Sequence, residues 1–277
     1  MRCSSADIFF KQKRFDLIFK YLYLKYPNNS FVKSAYLESI RAFNNFYEKA
    51  EDGTLKLSPD DFTKSFDDLY YSIKKNGYNQ DLGKIPVGNN GEIQNGAHRL
   101  AICTFLNYEI KTIPDTLTRT PWNYDYFKKN KMKQEIMDFG AEEYVKLNPH
   151  SHIVSIHPNI HIEEDNNIIE ILQKYGFIYY EKNIKIDDKS FNKIAYLFEK
   201  NTFIQNIKNK FIKTNRTISE NLRTFIFVCN NNSKKTEAIN EIKNIYTLNV
   251  HISNKRREAV KLAKLYFGKN SVFTVNK

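Results

Sequence analysis

Apolar residues recur at helical spacing through the first eighty positions. Ile8, Phe9, Phe15, Ile18, Phe19 and Leu22 mark one face and predict an amphipathic helix over 5–25. Ser30 is placed to cap a second helix reaching about residue 51. Ser58-Pro59-Asp60-Asp61 supplies a cap, a proline for the first helical position and acids for the first turn. The helix it starts carries Phe62, Phe66, Leu69, Tyr70 and Ile73 on one face and stops at Asn76-Gly77.

The pattern then shortens. Residues 84–87 read as a strand, Gly88-Asn89-Asn90-Gly91 as a tight turn and 92–94 as the return strand. Asn95-Gly96 breaks that strand, 97–106 reads as a helix closed by Asn107, and 108–113 as a strand. Residues 122–147 are polar and lysine-rich and predict a helical connector. Beyond it, strands over 153–156, 177–180, 222–228, 249–252 and 271–275 alternate with helices over 167–175, 190–200, to 245 and over 256–266. Such alternation predicts layered α/β (α+β) architecture. The expected division is 1–120, a connector over 121–147, and a smaller domain over 148–277.

Composition narrows the classes. No apolar run reaches the roughly 18–20 residues of a membrane helix, and the start of the chain lacks the apolar core of a signal peptide. Cys3, Cys103 and Cys229 are too few and too scattered for a disulfide framework or a cysteine zinc site, so a cytoplasmic setting is expected. The net charge is +12, which points to an anionic partner. However, lysine (34) far exceeds arginine (9) and asparagine reaches 32, a pattern that A/T-rich coding also produces. Arginine is the residue suited to bidentate phosphate and base contacts, so its scarcity weakens a nucleic-acid reading.

The stretch 85–113 carries the most chemistry. A strand ends, Gly96 lets the backbone turn, and a helix opens with free N–H groups that bear partial positive charge. Anions bind at such a turn. His98 and Arg99 lie in it, and Arg99 offers a rigid fork for phosphate.

Residues 58–115 resemble the ParB/sulfiredoxin superfamily. The matching pieces are Ser72-Ile73, Gly77, Ile85-Pro86-Val87, Gly91-Glu92-Ile93, Gly96-Ala97-His98-Arg99 and Leu100-Ala101. The resemblance implies a ParB/sulfiredoxin-like first domain with a helical preface that binds ATP, ADP or CTP through Ser72, Asn95, Gly96, Ala97, His98 and Arg99. Ala97 stands where sulfiredoxins carry their reactive cysteine, which excludes sulfinic-acid reduction. The His98-Arg99 pair is similar to that of the superfamily's small-molecule kinases. The expected activity is therefore transfer of a phosphoryl group from ATP or ADP, with Mg²⁺, to a small hydroxylated acceptor such as a sugar or glycan precursor.

A kinase also needs a carboxylate near the acceptor hydroxyl. Glu38, Arg41 and Glu48 are expected on one face of the second helix, with Glu38 and Glu48 (beside His98) as catalytic candidates and Arg41 as an acceptor ligand. Glu92 is a further carboxylate candidate. Near the C-terminus, His251, Asn254, Arg256 and Arg257 surround a helix start whose cations oppose the dipole, and they predict a second anion site for the acceptor. His150, His152, His157 and His161 lack the spacing of a metal motif. The alternatives are a nucleotide-gated DNA-binding protein using Lys128, Lys129, Lys131, Lys133, Lys208, Lys210 and Lys213, and a non-catalytic nucleotide-binding scaffold.

Overall fold

The computed structural model describes residues 2–49, 53–79, 83–116, 122–156, 162–186, 220–246 and 250–268. The helix expected over 190–200, the strand over 271–275, His157, His161, Lys208, Lys210 and Lys213 lie outside them. The chain is α+β and divides into two compact units, Met1–Gly140 and Ala141–Lys277. The division falls within a helix, Gln134–Leu147. No helix among the described residues is long and apolar enough to cross a membrane.

In the first unit, β1 (Arg2–Ser4), β5 (Glu109–Asp115) and β4 (Ile85–Gly88) form a sheet in that order. β5 is antiparallel to β1 and parallel to β4. The expected return strand is reduced to a single bridge, Ile93 to Val87. Between β4 and β5 runs α5 (Ala97–Leu106), whose Ala97, Leu100, Ala101 and Cys103 pack in the cluster that contains Ile85, Ile93 and Ile110. Ile102 belongs instead to a cluster built by α2 (Leu17–Lys25), α3 (Ser30–Asn44) and α4 (Pro59–Asn76). The helix is thus enclosed on both sides, as its apolar composition requires. Burial pushes the Cys103 thiol up to about 12, so it is core.

Two predicted helices are shorter than expected. The helix over 5–25 is broken into α1 (Ser5–Phe9) and α2. The loop between them is fastened to the turn that precedes α5. The Gln12 amide donates to the Gly91 carbonyl and accepts from the Ile93 N–H, while the Lys13 N–H donates to both Glu92 oxygens. Glu92, a carboxylate candidate from the sequence, is thereby buried as a loop clamp, and burial raises its pKa against the opposing pull of the Lys13 N–H. The second helix ends at Asn44, because Asn45 (φ 54°) and Phe46 (φ 60°) take left-handed conformations that no helix continues. Its cap is Asn29, not Ser30. The following residues form the hairpin of β2 (Glu48–Lys49) and β3 (Leu55–Lys56), so Glu48 does not share a helix face with Glu38 and Arg41.

Residues 122–133 pack within the first unit. α6 (Tyr124–Lys129) buries Phe127, and the Trp122 carbonyl accepts from the Phe15 N–H at 2.8 Å. α7 (Gln134–Leu147) follows.

The second unit carries β6 (Ser151–Ile156), α8 (Ile162–Tyr175), β7 (Phe177–Ile186), β8 (Glu220–Val228), α9 (Asn232–Tyr246), β9 (Val250–Ile252) and α10 (Arg256–Phe267). Strand order is β7-β8-β6-β9, and every neighbouring pair is antiparallel. Among the described residues this is the βαββαβ order of a ferredoxin-like sheet. α8 and α9 supply Ile168, Leu172, Ala238 and Ile242 to a core with Val154, Phe225 and Phe227. Tyr266 of α10 meets Ser155, and Tyr144 of α7 stacks on Tyr179 at 3.5 Å. All six residues of β6 are buried, which fits a central strand covered on both faces.

The α4 start carries a capping box. Ser58 accepts from the Asp61 N–H, and Asp61 accepts from the Ser58 N–H. Ser58→Ala is expected to lower stability by about 1 kcal/mol, read as a lower denaturant midpoint at unchanged slope.

Candidate functional site

α5 starts from Gly96, which adopts the left-handed conformation (φ 81°), and no side chain caps it. Asn95 is exposed and turns its Oδ1 to the Gly96 N–H at 2.6 Å. Among the described residues no acceptor takes the N–H groups of Ala97, His98 or Arg99. The Arg99 fork folds back over the glycine: a Cβ at Gly96 would stand 3.3 Å from Nη2 and 3.4 Å from Nε. Three backbone donors, the positive end of a ten-residue helix and a guanidinium therefore converge on one turn.

His98 points the other way. Its half-buried ring meets Phe66 edge-on at 4.6 Å, and its Nε2 lies 3.1 Å from the Tyr36 hydroxyl. Burial holds its pKa well below the ordinary value, and Lys20, Lys56 and Arg14 add to the depression against the pull of Asp16. The ring is neutral at pH 7, so this residue reaches an anion through its backbone and not through ring charge.

Beneath His98 lies a charge cluster that the sequence reading missed. The Arg14 fork meets Asp16 at 2.7 and 3.1 Å, and Lys20 meets the same carboxylate at 2.5 Å. All three are buried. Arg14 also stands over the rings of Trp122 (4.3 Å) and Phe43 (5.3 Å). Burial pushes the Asp16 carboxyl up, but the two cations outweigh it and hold it well below the usual carboxylate range. Burial, with repulsion from Arg14, pulls the Lys20 ammonium below its ordinary value despite Asp16. One signal was available: Asp16 and Lys20 are an i, i+4 pair set inside the apolar run of α2.

The β2–β3 hairpin adds Glu48 and Lys56, joined by a long 3.4 Å ion pair. Both act electrostatically on this region, Lys56 on His98 and Glu48 on Lys20 and Tyr36.

The remaining candidates lie elsewhere. Glu38 and Arg41 form a bidentate pair at 2.8 and 2.9 Å. Arg41 also donates to the Lys131 carbonyl, and Glu38 accepts from the Lys133 N–H, so the pair staples α3 to residues 131–133. Burial raises the Glu38 pKa, but these donors overcome it and the net shift is downward. Both residues line a 290 Å³ surface pocket with Phe46 and Ile136. Ser72 is exposed on α4, and no contact joins it to the α5 turn among the described residues. Lys128, Lys129, Lys131 and Lys133 are exposed.

His251, Asn254, Arg256 and Arg257 belong to the second unit. Lys255 holds the N-cap position of α10 and makes no side-chain cap bond. Glu258 accepts from the Asn254 N–H at 2.9 Å and pairs with His251 Nε2 at 2.9 Å. Arg256 donates to the Lys146 carbonyl, while Arg257 is exposed. His152 Nδ1 contacts the Ser253 carbonyl, and no group of three metal-ligating side chains occurs among the described residues.

Two outcomes are expected from this geometry. Asp16→Ala should cost about 3–5 kcal/mol, because it strands two buried cations; chemical denaturation measures it. By NMR, His98 should take up its proton at a pH well below that of an ordinary histidine. The unfolded chain takes up this proton near pH 6.5 and the folded state does not, so its stabilising contribution is full above pH 6.5 and is lost as the pH falls below that value. Comparison of the chain with protein-family models gives no match, nor does comparison with curated proteins or with solved structures.

Proposed function

We propose that the first unit binds the phosphates of ATP or ADP at the start of α5 and that the protein transfers a phosphoryl group to the hydroxyl of a small molecule. The observation that supports this is the α5 turn: an uncapped helix start at a left-handed glycine, overlaid by the Arg99 fork. The absent side chain at Gly96 lets the Arg99 fork lie close over the turn, beside the free N–H groups that a phosphate would meet. In this reading Ala97, His98 and Arg99 offer backbone N–H groups, and Arg99 adds a charge-assisted bond.

Of the two carboxylates singled out in the sequence, Glu48 fits the acceptor role better. Glu38 is saturated by Arg41 and the Lys133 N–H, whereas Glu48 is 39% exposed and holds one loose ion pair. Glu48 accepts the hydrogen bond of the acceptor hydroxyl and orients its oxygen. The bound nucleotide with Mg²⁺ supplies the transferable phosphoryl group and neutralises its charge.

Thermal-shift screening with ATP, ADP, GTP and CTP plus Mg²⁺ tests the reading, because a ligand of the folded state alone raises its melting temperature. A shift with a purine nucleotide is expected; none with any nucleotide at millimolar levels overturns it. Arg99→Ala should weaken nucleotide binding about 10- to 150-fold, the equivalent of a charged hydrogen bond of roughly 1.5–3 kcal/mol. Arg99→Lys should restore part of it, since a point charge lacks the fork. Equal affinities in calorimetric titration would remove the turn as the phosphate site.

A further inference from the structure

The face of α3 that turns away from His98 opens on a cavity. Val32, Tyr36 and Ile40 form the inward face, and Tyr36 reaches His98. Ser34, Leu37, Glu38 and Arg41 recur at i, i+3, i+4 and i+7 and make up another face. With Phe46 and residues at the start of α7 they line the 290 Å³ pocket. Small-molecule sites begin at roughly 300 Å³, so the space suits a ligand of small-metabolite size.

Part of the wall is apolar, built by Phe31, Leu37, Phe46 and Ile136. Phe31 is still 38% exposed. Phe46 follows Asn45 as a second consecutive left-handed residue (φ 54° and 60°), a conformation that bulky side chains rarely take. Such strain persists where the surrounding structure enforces it, and it clusters at ligand sites.

The charged groups lining the pocket are Glu38, Arg41, Lys133 and Glu135, whose formal charges cancel. They are unequally engaged. Both Glu38 oxygens are taken, by Nε and Nη2 of Arg41 and by the Lys133 N–H. Nη1 of Arg41 donates to nothing among the described residues. The Lys133 ammonium and the Glu135 carboxylate are exposed and make no hydrogen bond or ion pair among them either. The pocket thus offers two open cationic groups, one open carboxylate and an apolar wall. A simple anion leaves Glu135 opposed, and a simple cation leaves Arg41 and Lys133 opposed. A zwitterion with an apolar side chain complements all of them.

We propose that this pocket binds a free α-amino acid with an apolar side chain. Its carboxylate meets Arg41 Nη1 and the Lys133 ammonium, its ammonium meets Glu135, and its side chain covers Phe31, Leu37 and Phe46. The site is separate from the α5 turn and does not rest on the nucleotide reading.

Calorimetric titration of the full chain with L-phenylalanine, 3-phenylpropionate and phenethylamine tests it. Phenylalanine should bind, and the two analogues, each lacking one charge, should bind about 10-fold more weakly, the loss of one charged hydrogen bond. Either analogue binding as well as phenylalanine overturns the proposal, as does the failure of both phenylalanine and leucine to bind at millimolar levels. Glu135→Gln should narrow the gap between phenylalanine and 3-phenylpropionate; an unchanged gap overturns the role of Glu135 and with it the proposal. Ser34→Trp, at an exposed position, fills the pocket and should abolish binding at an unchanged melting temperature. Wild-type affinity in folded Ser34→Trp overturns the proposal. In the wild-type protein, NMR of labelled methyl groups gives a measurement independent of any variant. The Leu37 and Ile136 signals should move on adding phenylalanine, and stationary signals overturn the proposal.

Discussion

The first unit is organised around the carboxylate of Asp16, which two cations share out of contact with water. Its position is set by a loop that the chain cannot form alone. Gln12 and Lys13 must find Gly91, Ile93 and Glu92, and the Phe15 N–H must find the Trp122 carbonyl, before α2 can begin where it does. Burying charge is unfavourable unless the partners are held in register, so these contacts and the ion cluster stabilise one another. The same loop carries Arg14 to its place against Trp122 and Phe43.

α5 packs against α2 and begins at the uncapped turn of Gly96. One side of the helix is buried against the sheet and the other against α2 and α4, which leaves its first turn as the part with free polar groups. The two residues in that turn diverge. Arg99 folds over Gly96, while His98 turns inward to Phe66 and Tyr36. Adjacent residues on a helix point about 100° apart, so the two side chains of one motif enter two environments, the turn at Gly96 and a polar interior.

In the second unit, Glu258 accepts from the Asn254 N–H and pairs with His251. Its sheet is antiparallel throughout although strands and helices alternate in the chain, because each described βαβ crossover passes over one intervening strand. Alternation in sequence therefore does not by itself imply a parallel sheet.

Local signals determined much of the secondary structure. The Ser58–Asp61 box, the stops at Gly77 and Asn107, and the break at Asn95-Gly96 act within a few residues, and the corresponding helix ends lie where they were expected. The α5 turn was legible for the same reason. Periodicity failed where distant partners override it. Residues 5–25 keep a helical apolar spacing, yet the helix is broken because Gly91, Glu92 and Ile93, some eighty positions away, capture the backbone near Gln12. Glu48 left the helix face of Glu38 and Arg41 because Asn45 and Phe46 reverse the chain. The cluster of Arg14, Asp16 and Lys20 could not be assembled from spacing alone, since its burial depends on Trp122 and Phe43 as well as on α5. Tertiary structure also decided that Arg256 donates to the Lys146 carbonyl and that Glu258 pairs with His251. Short-range backbone chemistry is written in neighbouring residues, whereas the burial of charge depends on residues far apart in the sequence.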